Sequence, residues 1–145
     1  MQQSPIAELR ARLRLPLIAA PMFLVSGVAL VSAACVHGVI GAFPTVNCRT
    51  PEELDGWLRE IESRTSRSSD ASGVAAAPVC PNLIVHRSNM RLQDDLAVLL
   101  RHRPELVITS VGSPARSPAR WCWPMSPRSG TRNAPSKRAP MVSCC

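Results

Sequence analysis

Six cysteines are the most chemically versatile residues of this 145-residue chain, since a thiol can form a disulfide, bind a metal or act as a nucleophile. No two of them are spaced as Cys-x-x-Cys, and no cysteine and histidine have the spacing of a structural zinc site. Cys35, Cys48 and Cys80 lie in apolar stretches, whereas the other three follow residue 113. This pattern predicts buried free thiols, no metal centre and a reducing, cytoplasmic compartment.

Other side chains that could bind a ligand or transfer a proton are scattered along the chain. Met22 ends an apolar run, where methionine most often fills a gap in the core. Asn82 follows a proline in another apolar run, and such an amide most often satisfies backbone groups at a strand end. His37 and His86 are interpreted as ordinary surface or helix-end residues, and Arg87 as a solvated charge. These residue types alone do not define a catalytic site.

The net charge of +7 is concentrated at the carboxyl-terminal end of the sequence. Residues 113–145 contain six basic residues and no acidic one, so the first 112 residues carry only +1. A nucleic-acid-binding domain usually carries its positive charge on a folded face. We therefore expect no nucleic-acid partner; an arginine-rich nucleic-acid arm or an SR-like linker is the functional alternative for this tail.

The amino-terminal third contains a long stretch without charges, between Leu15 and Cys48. Residues 23–43 are long enough to span a bilayer, and the arginines before them resemble the positive region of a signal peptide. Prolines and glycines interrupt the stretch, however, and buried parallel strands with a covering helix also produce uncharged sequence. We expect no membrane association; a small membrane-tethered or secreted protein that uses residues 10–45 is the alternative.

Hydrophobic periodicity predicts four strands that alternate with helices. The predicted strands are 15–22, 39–46, 79–86 and 105–111, and the predicted helices are 4–14, 27–37, one that starts after Thr50, and one from about 89 to 103. Ser26 is expected to cap the second helix and Gly38 to end it. Thr50, Pro51 and Glu53 form a capping box at the start of the third helix. Residues 65–77 lack periodicity and are expected to form a surface loop.

This order of elements predicts an α/β fold with a parallel sheet and right-handed crossovers. Four βα units match half of a TIM (β/α)₈ barrel, whose full form needs about 250 residues. An open doubly wound sheet is the competing architecture. The first strand-to-helix turn, residues 20–27, lacks the glycine-rich dinucleotide fingerprint, which disfavours a Rossmann fold.

Four blocks of sequence resemble the nitronate monooxygenase family, also called the 2-nitropropane dioxygenase family. In chain order they are LPLIAAPMFLVSG (15–27), GVIGAFPTVNCRTPEELDGWL (38–58), PNLIVHRSN (81–89) and LVITSVGSP (106–114). The resemblance implies an FMN-dependent (β/α)₈ barrel that oxidises alkyl nitronates with oxygen, so that the small-molecule partners are a nitronate or nitroalkane and oxygen. Related flavin barrels include some enoyl-reductases, so the resemblance defines the cofactor better than the substrate.

The resemblance also implies cofactor-binding residues. Ala20, Pro21 and Met22 match the end of the family's first strand, where the backbone and the methionine approach the isoalloxazine ring. A strand end can present unpaired amides to the flavin's polar edge, and a thioether packs well against an aromatic face. Asn82 matches a polar strand-end position near the flavin, and Ser110 ends the fourth strand at the same mouth.

Two parts of such an enzyme are expected to be missing from this sequence. Barrel enzymes hold a cofactor phosphate in loops after strands seven and eight, beyond the four strands predicted here. The family's Gly-Gly-His run, which supplies the proton-abstracting histidine, does not occur, so no catalytic residue is assigned. We therefore expect the amino-terminal half of a barrel, residues 1–112, with little or no turnover; a non-catalytic remnant of a flavin barrel is the alternative.

Residues 113–145 form a tail rich in proline, serine and arginine that is expected to be disordered. Back-translation of residues 121–145, with each codon begun one base earlier, forces valine, leucine and alanine in place of Cys122, Trp123 and Pro124. The shifted frame allows a strand-helix-strand pattern that resembles the next unit of the same family. We interpret the tail as a frameshifted translation, a hypothesis that the nucleotide sequence tests.

Overall fold

The computed structural model describes residues 5–112 of the chain. In chain order the elements are α1 (Pro5–Ala11), β1 (Ile18–Ala19), α2 (Val28–Val36), β2 (Ile40–Pro44), a 3₁₀ turn (Thr45–Asn47), α3 (Pro51–Ser72), β3 (Val79–Ile84), α4 (Leu92–His102) and β4 (Ile108–Ser110). The tail hypothesis concerns residues 113–145 and lies outside this part of the chain. All four predicted strands are present but shorter than predicted, because the ladder of hydrogen bonds covers only the centre of each apolar run.

The four strands form one parallel sheet in the order β1-β2-β3-β4. Each strand lies beside the strand that follows it in sequence, with a helix on the connection. A doubly wound sheet reverses direction and places its first strand inside the sheet, whereas β1 lies at an edge here. The fold is therefore the predicted partial TIM barrel of four strands, a half barrel.

The two faces of the sheet pack against different partners. The outer face packs on helices α2, α3 and α4, and its cluster is built around Phe43, Leu83, Leu54 and Leu99, each with no exposed area. The inner face carries Ile40, Ala42, Cys80 and Ile108, against which leucines of the amino-terminal segment pack. The parallel register places Ala42 beside Cys80 and Asn82 beside Ile108, so these side chains share the inner face.

Helix α3 starts as predicted and ends later than predicted. Thr50 Oγ1 accepts a hydrogen bond from the Glu53 amide at 3.2 Å, and the Glu53 carboxylate accepts one from the Arg49 amide at 2.6 Å. The prediction of a loop over residues 65–77 was wrong, because the helix continues to Ser72 and ends at Gly73, whose φ is +69°.

Hydroxyl side chains satisfy the backbone in this polar extension of α3. Thr65 Oγ1 donates to the Ile61 carbonyl at 2.9 Å, and Ser69 Oγ donates to the Thr65 carbonyl at the same distance. Ser69 Oγ also accepts from the Ala76 amide just beyond the helix. The hydroxyls of this segment are thus hydrogen-bonded within the helix and just beyond its end, in a stretch whose sequence lacks an apolar period.

Helix α2 starts at Val28, after Gly27, and the predicted cap by Ser26 was wrong because the Ser26 hydroxyl bonds elsewhere. Gly38 follows the helix with a φ of +77°, as expected of a terminating glycine. The uncharged stretch thus divides into β1, a nine-residue helix and β2. None of the helices within residues 5–112 is long and apolar enough to cross a membrane. The prediction that Cys35, Cys48 and Cys80 are buried and form no disulfide is confirmed.

Candidate functional site

The carboxyl ends of the four strands meet at one edge of the half barrel, which we call the mouth. Ala20, Pro21 and Met22 follow β1 directly, and Ser110 is the last residue of β4. Asn82 lies within β3, two residues before its end, and not at the strand end that was expected. Met22 is 41% exposed, so it is not the buried core filler that its residue type alone would favour.

The strand register shows which predicted residues share a face. Asn82 pairs with Pro44 on one side and Ile108 on the other, and Ser110 pairs with Ile84 two residues farther along. Because side chains alternate along a strand, Asn82 and Ser110 both lie on the inner face, on neighbouring strands. The amide oxygen of Asn82 is buried and has no hydrogen-bond partner among the described residues. A buried acceptor in this state needs a hydrogen-bond donor that the described residues do not supply.

The backbone after β1 is held by Ser26. Its hydroxyl accepts from the Met22 amide at 2.9 Å and donates to the Ala20 carbonyl at 3.1 Å. The expectation that this strand end presents unpaired amides is therefore wrong at Met22, whose N–H already has a partner. What the segment offers to a ligand is the half-exposed thioether of Met22.

Asn47 organises the same loop from the end of β2. Its Nδ2 donates to the carbonyls of Met22 and Ser26, both at 3.1 Å, and its Oδ1 accepts from the Leu24 amide at 3.0 Å. The sequence analysis missed this residue. Its only signal was a polar side chain immediately after an apolar run, which is where functional side chains of parallel sheets lie.

A buried ion pair lies at the start of α4. Asp95 has no exposed area, and its Oδ1 accepts from Arg91 Nη2 at 2.7 Å, while Arg91 Nη1 donates to the Cys48 carbonyl at 2.6 Å. Burial raises the pKa of Asp95, although Thr45 and Arg91 favour its ionised form. The pair ties the connection after β2 to α4 and thereby fixes two neighbouring loops of the mouth.

Cys48 is not a nucleophile in this setting. Burial, followed by the nearby carboxylates of Glu53 and Asp95, raises its pKa to about 12. Burial likewise raises the pKa of Cys35. Thiolates are the reactive form of cysteine, so both thiols are inert at neutral pH. The described residues also contain no group of three or more ligating side chains that could hold a metal ion.

The loop after β3 is held by its own side chains. His86 Nδ1 accepts the Ser88 amide at 3.2 Å and lies 2.7 Å from the Ser88 hydroxyl, so the neutral ring carries its proton on Nε2. Asn89 Nδ2 donates to the Ile84 carbonyl at 2.8 Å. Arg87 is exposed on this loop.

An exposed apolar rim surrounds the mouth. It consists of Phe23, Leu24, Val25, Met90 and Val111, all more than half exposed. Leu24 and Val111 also have positive φ values of 60° and 61°. Non-glycine residues rarely adopt this conformation, and such strain is most often found at functional sites.

Solved structures with the same arrangement of elements include FabK from Thermotoga maritima and a methionine-to-alanine variant of that protein. Each superimposes with a TM-score of 0.59 at 17% sequence identity and covers 79% of this chain. This chain has the fold of a barrel half. It spans about a third of the length of those structures, 32% of FabK and 34% of the variant. No protein-family model and no curated protein matches the half barrel.

Proposed function

We propose that the half barrel is the flavin-binding front of an FMN-dependent oxidoreductase of the nitronate monooxygenase kind. The observation that carries the proposal is the buried, unpartnered amide oxygen of Asn82 on the inner face. The four sequence blocks that resemble this family support it, as does the fold likeness to FabK. Cytoplasmic location is part of the same proposal, since it rests on the free thiols.

The residues at the mouth fit an isoalloxazine ring. Asn82 offers an acceptor that needs a donor, and a flavin ring carries one N–H at its polar edge. Met22 offers a half-exposed thioether, which packs well against an aromatic face. Ser110 adds a hydroxyl-bearing side chain on the same face as Asn82. The pairing of Ala20 and Met22 with Ser26 fixes the backbone on which the ring would rest.

A bound flavin supplies the redox chemistry by accepting a pair of electrons from the substrate and passing them to oxygen. The chain's own residues bind and orient. Asn82 would hold the polar edge of the ring, and the apolar rim would favour a substrate with an alkyl group. Asn47 and Ser26 hold the Met22 loop in place. We assign no general base among residues 5–112, so turnover of nitronates by these residues alone is expected to be weak or absent.

Binding of FMN to the purified chain tests the proposal. We expect the flavin's visible absorbance to change and its fluorescence to be quenched on addition of the chain, as occurs when the ring is stacked and shielded. Asn82→Leu should weaken FMN binding by about 10-fold to 100-fold. The substitution removes a hydrogen bond between two uncharged groups and leaves the flavin N–H without an acceptor.

Ser32→Ala is the matched control, since the Ser32 hydroxyl is also buried without a partner but lies on α2. It should leave FMN binding unchanged. A folded chain that binds no FMN would reject the flavin proposal and favour the non-catalytic remnant. Equal effects of the two substitutions would reject the role of Asn82.

A further inference from the structure

Both edge strands of the described sheet have backbone groups without a strand partner. The Leu17 carbonyl accepts from the Ile40 amide, and because these groups alternate along a strand, the amide and carbonyl of Ile18 point away from β2. At the other edge the Ser110 carbonyl accepts from the Val85 amide, so the corresponding groups of Thr109 point away from β3. Within residues 5–112 no strand covers either edge.

The apolar inner face is also open next to β1. Ile18 pairs with the buried Ile40 on the inner face but is itself 44% exposed. In a complete barrel the interior is filled by side chains of all eight strands. Four strands in sequential order provide half of that interior and leave Ile18 half covered.

We propose that two copies of this chain close one eight-stranded barrel, in which β4 of each copy pairs with β1 of the other. A twofold axis along the barrel relates the copies, so the two new strand pairings are identical and all strands stay parallel. Four strands from each copy give the number at which this kind of barrel closes.

A second copy fits this surface better than an arrangement that pairs like edges. Pairing β1 with β1 about a twofold axis would be antiparallel, would leave both β4 edges open and would point the two mouths in opposite directions. Pairing β1 with β4 covers every edge and ends the assembly at two copies. The edge strands of two and three residues are too short to template an extended stack.

Closure would also complete the mouth, a consequence that rests on the proposed function. In a barrel built from two copies, the loop after β3 of the second copy occupies the seventh position, one of the two positions whose loops hold phosphate in barrel enzymes. The loop after β3 carries the exposed guanidinium of Arg87. The dimer is tested without flavin. The dimer proposal can therefore be wrong while the flavin proposal holds, and the flavin proposal can be wrong while the dimer forms.

The molar mass of the 145-residue chain in solution tests the assembly. Light scattering coupled to size exclusion should give twice the 15.7 kDa of one chain. Ile18→Lys places a charge on the β1 edge and should halve the mass. Leu30→Lys is the matched control, because Leu30 on α2 is 42% exposed against 44% for Ile18, and it should leave the mass unchanged. A monomeric unmodified chain would overturn the proposal, as would a dimer that survives Ile18→Lys.

Hydrogen exchange on the unmodified chain tests which surfaces meet, even if Ile18→Lys fails to fold. Raising the protein concentration should slow exchange in peptides that contain residues 15–19 and 107–111, because the outward amides of both edges gain partners. Peptides within α3 should not change. Protection confined to a helix, or to one edge only, would show a dimer of a different kind and would overturn the proposal.

Discussion

The side chain of Asn47, which follows β2, positions the loop between β1 and α2. Its carboxamide bonds three backbone groups of the segment between β1 and α2, at distances of 3.0 and 3.1 Å. The segment includes Leu24, whose positive φ would be costly without such support. The geometry of the first loop at the mouth therefore depends on a residue at the end of the second strand.

Asn47→Ala should lower the free energy of unfolding by about 1–3 kcal/mol, because three backbone groups lose their partner. Denaturant unfolding would measure this change. Asn47→Asp is the matched variant, since it keeps an acceptor for the Leu24 amide but cannot donate to the carbonyls of Met22 and Ser26. Its loss should be similar to or larger than that of Asn47→Ala, since a carboxylate beside two carbonyls is repelled. A stability equal to that of the unmodified chain would contradict the role of Asn47.

Some features of the fold could be predicted from the sequence and others could not, depending on whether the contacts that define them are between residues close in sequence. The start of α3 could be predicted because Thr50, Pro51 and Glu53 act on neighbouring backbone groups. Its end could not, because the last two turns of the helix are rich in serine and lack the apolar period on which the prediction depended. The Asn47 network could not be predicted either, since its partners lie 21 to 25 residues away.

The close contact of α2 with β2 gives a prediction at the scale of elements. A Cβ at Gly41 would lie 2.5 Å from the Val31 carbonyl oxygen and 3.0 Å from Cys35 Sγ. Gly41→Ala should therefore destabilise the chain by about 1–3 kcal/mol through overpacking. Thermal and denaturant unfolding would measure the loss.

Gly56→Ala provides the opposite result at a glycine with free space. No atom lies within 4 Å of a Cβ at Gly56, which is inside α3. Alanine should stabilise this helix by about 0.5–1 kcal/mol. A Gly41→Ala chain as stable as the unmodified one would contradict the close packing of α2 on β2, and a destabilised Gly56→Ala chain would contradict the free space at Gly56.

The contact between α3 and α4 gives a prediction about pH. Asp55 on α3 accepts from His102 Nε2 at 2.8 Å and from Arg101 Nη1 at 3.1 Å, both on α4. The hydrogen bond from His102, with the charges of Arg59, His102 and Arg101, lowers the pKa of Asp55 below its ordinary value of 3.8. The resulting stabilisation is present above pH 3.8 and is lost as the pH falls through the lower pKa of the folded state.

Asp55→Asn should therefore reduce the melting temperature at neutral pH. The difference in melting temperature between the unmodified chain and this variant should become smaller as the pH falls below 3.8. Glu60→Gln is the comparison, because Glu60 pairs with Arg64 on the exposed surface of one helix and joins no second element. Its effect on the melting temperature should be smaller at every pH. A difference between unmodified and Asp55→Asn chains that grows in acid would contradict the prediction.

At the scale of the whole molecule, the fold class could be predicted from the order of strands and helices, and the structure confirms it. The cofactor residues are a different matter. The register places Asn82 and Ser110 on one face. The flavin proposed there was predicted only through the family resemblance, because the residue types and their spacing do not define a ligand.

Thermal unfolding at several protein concentrations gives a prediction at this scale. If unfolding of the native chain releases two monomers, the midpoint temperature should rise with concentration, because mass action favours the assembled state. For the Ile18→Lys variant the midpoint should be independent of concentration. A concentration-independent midpoint for the unmodified chain would indicate that the half barrel unfolds alone.

The segment formed by α1 and the three residues after it limits how a small molecule can reach the inner face. Leu9 and Leu13 pack under the inner face, the Arg14 amide donates to the Gly38 carbonyl before β2, and Arg12 pairs with Glu105 before β4. The segment therefore covers the amino-terminal end of the strands. A small molecule that binds the inner face would have to approach from the mouth or across an uncovered sheet edge, and not from below the strands.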